Sequence, residues 1–288
     1  MKYEAIRGNS QEFSVRKMCK ALDLTANAYY QWILRKEKQE SKKEEYKTIV
    51  EKVREVFENS RHTYGYRRMQ RALAKEGLKM TEYKVRKIMR ESGLYPVTTV
   101  KYKPARKGKV TGNYFENVVN RNFNPTGFNE IWAGDITYIK TCLGWVYLAV
   151  VIDLYNKEVI GYSISKTINT ELVKRALANA LASSGGKGAR LFHSDRGIQY
   201  SSRSYQEMLK KHGITGSMSR PGCPYDNACA ESFFSTAKRE CIYRKEYVTL
   251  EEVKKDLFLY IELFYNRKRM HKTLGYRSPI EFRLEKIA

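Results

Sequence analysis

The sequence predicts two regions of different fold class: an all-helical amino-terminal region, followed by a mixed α/β domain that begins near residue 127. Positive charge is concentrated at the start, where residues 1–110 carry +15 of the total +23. The same region has apolar residues at helical spacing with basic residues on the opposite face. From residue 127 onward, short β-rich runs and helical stretches follow in the order βββαβαβ, which is typical of a mixed sheet with flanking helices.

Length and composition limit the function classes. A chain of 288 residues with 42% hydrophobic residues is long enough for two folded domains and is not a disordered basic tail. Its longest apolar run, residues 145–152, is far too short to span a bilayer, and no apolar signal segment opens the chain. Five cysteines and four scattered histidines match neither a disulfide framework nor a zinc site. We therefore expect a cytoplasmic protein whose charge excess binds a polyanion.

The helical region divides into two predicted modules. Residues 1–40 form a helix-turn-helix segment, in which an apolar pattern breaks at Asp23 and resumes after Thr25. A strongly charged stretch, residues 36–45, separates it from a second helix-turn-helix-like module at residues 44–96. Such modules bind DNA, although any small helical hairpin packs in a similar pattern. Residues 97–126 are predicted to be a basic linker.

Basic residues of the second module share helix faces. Arg68, Arg71 and Lys75 lie on one face of the helix that follows Gly65, and Lys84 and Lys87 lie on the helix that Thr81 begins. Together with Arg67 they are candidate contacts for DNA phosphates, the alternative being a solvated surface.

The predicted sheet contains five strands, near residues 130–139, 145–154, 158–165, 189–193 and 214–219. Thr170 is predicted to cap the helix after the third strand, and a further helix covers residues 204–212. If that crossover returns the fourth strand parallel to the first, Asp135 and Asp195 meet near the centre of the sheet. Trp32, Trp132 and Trp145 are predicted to pack in the core.

A third carboxylate, Glu231, lies on a predicted helix outside the sheet. Three carboxylates suit two Mg²⁺ ions that assist an in-line phosphoryl displacement. Lys238, two helical turns beyond Glu231, is positioned to guide a phosphodiester. Taken singly, each acid also fits a strand end, a turn or a helix surface, so spacing alone leaves the assignment open.

Other polar residues keep two interpretations. Asp153 is either a fourth acid near the metals or a strand-end hydrogen-bond acceptor, and Asp226 is a competing ligand or a turn residue. His193 either orients substrate or packs against the sheet. Arg269 and His271, in the basic run of residues 267–272, are predicted to contact DNA phosphate.

The combination of motifs resembles a known family. The matching segments are Trp132-Ala-Gly-Asp-Ile-Thr-Tyr138, His193-Ser-Asp-Arg-Gly197, Tyr225-Asp-Asn-Ala228, Glu231-Ser-Phe-Phe234, Lys238-x-Glu240, Tyr265-Asn266 and His271-x-x-Leu-Gly-Tyr-x-Ser-Pro279. With Asp135, Asp195 and Glu231 as its acids, the chain resembles the OrfB-type catalytic part of bacterial insertion-sequence transposases of the third insertion-sequence family, within the DDE transposase and retroviral integrase superfamily. The resemblance extends from Glu12 to Phe282.

The resemblance implies a ribonuclease H-like fold over residues 127–288 with carboxy-terminal helices, and two Mg²⁺ or Mn²⁺ ions held by the three acids. It implies cleavage at the ends of the element and joining of the released 3′-hydroxyl to another phosphodiester, without a covalent protein intermediate. The expected partners are double-stranded DNA, as terminal inverted repeats and target, further copies of the chain on DNA, and an OrfA-type helix-turn-helix and leucine-zipper protein or fusion. A nucleoid-associated location follows.

Two other functions remain at this point. A DNA-binding regulator derived from a transposase would keep the helical modules without catalysis. A ribonuclease H-like nuclease would cut DNA without joining it. Three intact acids argue against the first, and two helical DNA-binding modules argue against the second.

Overall fold

The computed structural model describes residues 1–97, 115–117, 125–219 and 228–287. Five helices make up the amino-terminal region: α1 Lys2–Gly8, α2 Val15–Ala21, α3 Ala26–Asn59, α4 Tyr66–Lys75 and α5 Glu82–Glu91. None of the helices in these described ranges is long and apolar enough to cross a membrane.

Helix α3 joins the two predicted modules. Thr25 caps it by accepting a hydrogen bond from the Ala28 amide at 3.2 Å, and Asp23 in the preceding turn has φ 57°. The helix then continues without a break through residues 36–45 to Asn59. The predicted boundary between residues 40 and 44 therefore falls inside a helix, because the lysines and glutamates of the charged stretch are good helix formers and nothing there interrupts the backbone hydrogen bonds.

The second module packs the end of α3 against α4 and α5. Thr81 caps α5 as predicted, accepting from the Lys84 amide at 3.3 Å. The buried face of the module is formed by Val53, Phe57, Met69, Leu73, Val85 and Ile88. These side chains belong to the same apolar cluster as residues of the sheet and the carboxy-terminal helices, so the module and the α/β domain share one core.

The sheet has five strands in the spatial order β3-β2-β1-β4-β5. Their bounds are β1 Ile131–Thr141, β2 Gly144–Asp153, β3 Val159–Ser165, β4 Leu191–Ser194 and β5 Thr215–Met218. The first three form an antiparallel meander, whereas β4 pairs parallel with β1 and with β5. The predicted mixed five-stranded sheet is confirmed, including the parallel return of the fourth strand beside the first.

Helices cover both faces of the sheet. On one side lie α6 Thr170–Ser183, α7 Ile198–Ser201 and α8 Arg203–Lys211; the other side and the carboxy-terminal end carry α9 Ala228–Glu240, α10 Leu250–Phe258, a π-helical segment Leu259–Tyr265 and α11 Pro279–Ile287. The cap of α6 is Asn169 and not Thr170, since the Asn169 side chain accepts from the Leu172 amide. Gly161 lets α6 approach β3, because a Cβ there would lie 2.4 Å from the Ala176 carbonyl oxygen.

The tryptophans do not all behave as predicted. Trp132 is fully buried, with 0% exposure, and Trp32 is partly buried among the amino-terminal helices. Trp145 is 50% exposed, so its assignment to the core is wrong. It is the second residue of β2, next to the 141–144 turn, and the strand is exposed at its first two positions and mostly buried beyond them.

Candidate active site

Asp135 lies in the middle of β1 and is 3% exposed. Its Oδ1 accepts a hydrogen bond from the Ile136 amide at 2.8 Å. The residue before it is necessarily small, because a Cβ at Gly134 would meet the Phe192 ring of β4 at 2.4 Å. Glycine at position 134 therefore leaves room for the Phe192 ring of the neighbouring strand, next to the residue that carries this carboxylate.

Asp195 directly follows β4 and is half-buried, and its Oδ1 accepts from the Gly197 amide at 2.9 Å. The parallel pairing of β1 with β4 ends at the partners Gly134 and Ser194. Asp135 and Asp195 are thus the next residues of two neighbouring parallel strands, at the point where the pairing stops. In open α/β sheets this carboxyl edge is where ligands bind.

Tyr200 gives a second sign that the two aspartates are close to each other. Burial raises the pKa of this tyrosine well above 10, and Tyr205, Asp135 and Asp195 raise it further. A single hydroxyl is therefore within electrostatic range of both carboxylates. Sequence reasoning missed Tyr200, a buried residue of α7 whose ring contacts those of Phe192 and Tyr205.

Glu231 lies in the first turn of α9 and is exposed. Helix α9 packs beside β1, since Phe233 and Ala237 share an apolar cluster with Ile139. Over the described ranges, no three His, Cys, Asp or Glu side chains form a group that would hold a metal ion. The structure therefore brings Asp135 and Asp195 to one edge and does not join Glu231 to them. Asp226 lies outside the described residues.

His193 and Asp153, the two other candidates near the aspartates, both form hydrogen bonds within the protein. His193 is fully buried, and its ring nitrogens lie 3.0 Å and 3.2 Å from the hydroxyls of Ser217 and Ser219. Asp153 accepts backbone hydrogen bonds from Asn129 and Tyr155 at 2.9 Å and 2.8 Å, and burial raises its pKa. These contacts match the packing and strand-end interpretations.

The basic stripe of α4, formed by Arg68, Arg71 and Lys75, contacts the α/β domain. Lys75 Nζ pairs with Glu281 at 2.9 Å, and the Arg71 guanidinium lies over the Tyr276 ring at 5.4 Å. Arg68 is half-buried beside Tyr64, and burial lowers its pKa. The stripe predicted for DNA thus takes part in an intramolecular contact, and Arg68 does not fit the predicted role of an exposed phosphate ligand.

The candidates on the other side of the module are exposed. Arg67 and Lys87 form long ion pairs with Glu82 and Glu91, each at 3.9 Å, Arg67 also lies over the Tyr66 ring at 5.5 Å, and Lys84 is exposed on α5. In the α/β domain, Lys238 lies over the Tyr138 ring, with its Nζ 5.1 Å from the ring centre. Arg67, Lys84 and Lys87 are exposed, whereas Lys238 is half-buried.

Arg269 and His271 are not surface cations, contrary to the prediction. Arg269 is 7% exposed and its guanidinium forms two parallel hydrogen bonds with Glu240, at 2.8 Å and 2.9 Å. His271 Nε2 lies 3.3 Å from Arg269 Nη1, and burial together with Arg269 lowers its pKa to about 3. With this lowered pKa, His271 adds no positive charge at neutral pH. Five of the six residues at 267–272 are basic, and this composition is typical of a solvated surface, so it concealed the burial.

The buried pair of Arg269 and Glu240 connects α9 to the segment that the helical module contacts. Glu240 is the last residue of α9 and also accepts from the Tyr260 hydroxyl at 2.8 Å. On the opposite side, the Tyr64 hydroxyl of the helical module donates to the Lys268 carbonyl at 2.7 Å and accepts from the Met270 amide at 3.1 Å. Tyr64 of the helical module therefore forms hydrogen bonds with the backbone on both sides of Arg269, the residue whose side chain is paired with Glu240 at the end of α9.

Asn266 explains one of the sequence motifs. Its side chain accepts from the Val159 amide at 3.0 Å and donates to the Val159 carbonyl at 2.9 Å. This pairing replaces a strand partner at the edge of the sheet, where β2 and β3 change register between Val151 and Ile152. In the Tyr265-Asn266 motif, the asparagine therefore contacts the backbone of the edge strand β3.

Family models match both regions. The model described as "Integrase core domain" matches residues 125–224, and a second model with the same description matches residues 212–279. The model described as "HTH-like domain" matches residues 44–102. The helical module and the sheet domain therefore each match a family model of their own.

Solved structures with a similar arrangement include a simian T-cell lymphotropic virus intasome in complex with a PP2A regulatory subunit. That match has a TM-score of 0.46 and 19% identity, over 74% of this chain and 69% of the other. The HTLV-2 integrase catalytic core domain in complex with magnesium matches with a TM-score of 0.40 and 18% identity, over 54% of this chain and 95% of the other.

Curated relatives are more similar. The transposase InsF for insertion sequence IS3A of Escherichia coli (strain K12) is 37% identical over 288 residues, which is 100% of both chains. The transposase for insertion sequence element IS904 of Lactococcus lactis is 39% identical over 236 residues, covering 81% of this chain and 92% of the relative. Full-length similarity at this identity, on a chain with an integrase core and a helix-turn-helix-like domain, shows that the protein belongs to the IS3 family of insertion-sequence transposases.

Proposed function

We propose that this transposase binds the ends of its insertion sequence and catalyses metal-dependent cleavage and joining of DNA strands, with Asp135, Asp195 and Glu231 as its catalytic acids. The observation that carries the proposal is the register of β1 and β4, which makes Asp135 and Asp195 adjacent at the carboxyl edge of the parallel pair. Two acids at such an edge, in a chain with a net charge of +23, suit chemistry on a bound polyanion.

The donor set fits divalent metal ions. Mg²⁺ and Mn²⁺ prefer oxygen ligands, and carboxylates on neighbouring strands supply them without histidine or cysteine. Two such ions, when bound, compensate charge on the attacking and leaving oxygens of an in-line displacement at phosphorus. The chain's own contribution is to hold two carboxylates on a rigid sheet, with the third offered by α9.

DNA is held by cations on both regions, which are exposed on the helical module and half-buried at Lys238. Lys84, Lys87 and Arg67 on the helical module are proposed to contact phosphates of the terminal repeat, and Lys238 the strand near the acids. Assembly of several copies on DNA, cooperation with an OrfA-type helix-turn-helix and leucine-zipper partner, and a cytoplasmic, nucleoid-associated location complete the proposal. The domain limits 1–40, 44–96, 97–126 and 127–288 also remain predictions, with the helix α3 continuous across the first of them.

The experiment uses the full chain, Mg²⁺ and a labelled duplex that carries the ends of the element. We expect nicked strands and joined products, both lost in Asp195→Asn and Asp135→Asn while DNA binding persists. Glu207→Gln, which removes an exposed acid of α8, is the matched control and should retain activity. Undiminished cleavage by Asp195→Asn would contradict the assignment.

The same experiment separates the two alternative functions. A DNA-binding regulator binds the end duplex and yields no nicked strand at any metal concentration. A nuclease yields nicked strands and no joined product. Loss of both products only in the acid variants supports the transposase with the assigned site.

A further inference from the structure

An exposed aromatic pair lies on the strand that carries Asp135. Tyr138 on β1 and Trp145 on β2 are 47% and 50% exposed, and their rings meet edge to face with centroids 5.2 Å apart. The register pairs Lys140 with Trp145, so Lys140 stands on the same face of the sheet two residues beyond Tyr138. Large aromatic side chains at this exposure on a sheet face mark a binding surface when they are grouped.

Positive charge accompanies the pair. Lys140 is exposed, and Lys238 of α9 holds its ammonium group 5.1 Å from the centre of the Tyr138 ring. Tyr138, Lys140, Trp145 and Lys238 together are called the aromatic-basic surface below. It offers ring faces and cations side by side.

This surface adjoins the acids of the proposed site. Tyr138 follows Asp135 by three residues, about 10 Å along β1, and because successive side chains alternate, these two side chains lie on opposite faces of the sheet. Lys238 is seven residues from Glu231, so both side chains leave α9 in the same direction. The aromatic-basic surface therefore connects to the proposed site through α9, whose Lys238 contacts Tyr138, and not along the face of β1 that carries the Asp135 side chain.

The chemistry of the surface selects its occupant. Aromatic rings with neighbouring lysines bind single-stranded nucleic acid, because each unpaired base has a face that stacks on a ring while the cations follow the phosphates. Base pairs in a duplex are stacked on one another and offer no such face. We propose that the aromatic-basic surface binds unpaired nucleotides of the DNA that α9 and the proposed site hold. The inference rests on the proposed function, since it names the form of DNA that this site accepts.

The test measures binding without catalysis. The full chain is titrated in EDTA against two fluorescent probes of one sequence: a blunt duplex, and the same duplex with four unpaired nucleotides at one 3′ end. We expect the tailed probe to bind at least about fivefold more tightly, the lower limit for stacking of one base. Tyr138→Leu and Trp145→Leu should remove this gain and leave blunt-duplex affinity unchanged.

Phe258→Leu is the matched control, because Phe258 is 50% exposed on α10, outside the aromatic-basic surface. It should keep the gain. Quenching of Trp145 fluorescence by an oligothymidine, measured as the difference between the native chain and Trp145→Phe, gives an independent readout of stacking.

Three outcomes overturn the inference. Equal affinity of the native chain for both probes overturns it alone and leaves the proposed function intact. Absence of binding to either probe overturns both. A gain that persists in Trp145→Leu, with loss of self-association in that variant, would assign the surface to a protein contact.

Discussion

Glu240 and Arg269 form a buried, two-pronged ion pair, with the Glu240 side chain 2% exposed and the Arg269 side chain 8% exposed. Although burial disfavours its charge, the Glu240 carboxylate raises the pKa of Arg269 above its ordinary value. Glu240 ends the helix that begins with Glu231, and Arg269 sits between the two backbone groups that Tyr64 binds. The pair therefore connects α9 to the helix-turn-helix-like module.

Breaking this pair should destabilise the fold. Glu240→Gln leaves a buried guanidinium without its counter-charge, and we expect a loss of about 3–5 kcal/mol in the free energy of unfolding. Urea denaturation measures it. Glu207→Gln, which removes the exposed ion pair with Arg203, should cost about 1 kcal/mol or less. Equal losses in the two variants would contradict the buried role.

His271 should make stability depend on pH. Its folded pKa of about 3 lies below the ordinary 6.5, so the unfolded chain binds the proton more readily. This group's contribution is constant above pH 6.5 and turns increasingly unfavourable as pH falls from 6.5 toward 3, with a slope of at most about 1.4 kcal/mol per pH unit.

His271→Gln keeps an acceptor for Arg269 and removes the titration. The stability difference between the native chain and this variant, measured by denaturation at several pH values, should therefore change only below pH 6.5. His212→Gln, at an exposed histidine after α8, is the control. A flat difference for His271→Gln would refute the prediction.

Gly161→Ala should prevent close packing of α6 on β3. Its Cβ would lie 2.4 Å from the Ala176 carbonyl oxygen and 2.5 Å from the Ala180 nitrogen, and helix backbone cannot yield as a side-chain tip can. We expect a loss of about 1–3 kcal/mol or more in thermal or urea unfolding. Gly8→Ala, with nothing within 4 Å, should leave stability unchanged or slightly raised.

The two basic faces of the helical module should differ in DNA binding. Lys84→Gln with Lys87→Gln should weaken binding and lower the slope of log affinity against log salt by about 0.9 for each lost phosphate contact. Arg71→Gln with Lys75→Gln should change both quantities less, because these side chains contact Tyr276 and Glu281. Fluorescence anisotropy across a salt series compares the two. The reverse order would mean that α4 faces DNA.

Sequence periodicity predicted the elements that carry the two aspartates. The strand around Asp135, the turn at residues 141–144 and the crossover helix all follow from local patterns, since alternation and capping act over a few residues. The continuity of α3 was missed because a run of charges resembles a linker by composition while its residues favour helix.

Contacts between distant segments required the structure. A run such as residues 267–272 has the same letters whether it is solvated or buried, and only the arrival of Glu240 from 29 residues earlier decides that Arg269 is buried. Likewise, Trp145 was assigned to the core on its residue type, and its place at the exposed beginning of β2 leaves it half exposed.

The sequence by itself determined that this protein is a basic chain with a helical region and a mixed α/β region, because residue type and spacing carry that information, while the set of acids stays a prediction from the motif resemblance. Only the tertiary structure decided which cations remain at the surface and that Asp135 and Asp195 share one sheet edge. The reason is physical: the burial of a charge and the pairing of two strands depend on segments far apart in the chain, and their contact is a property of the packed core.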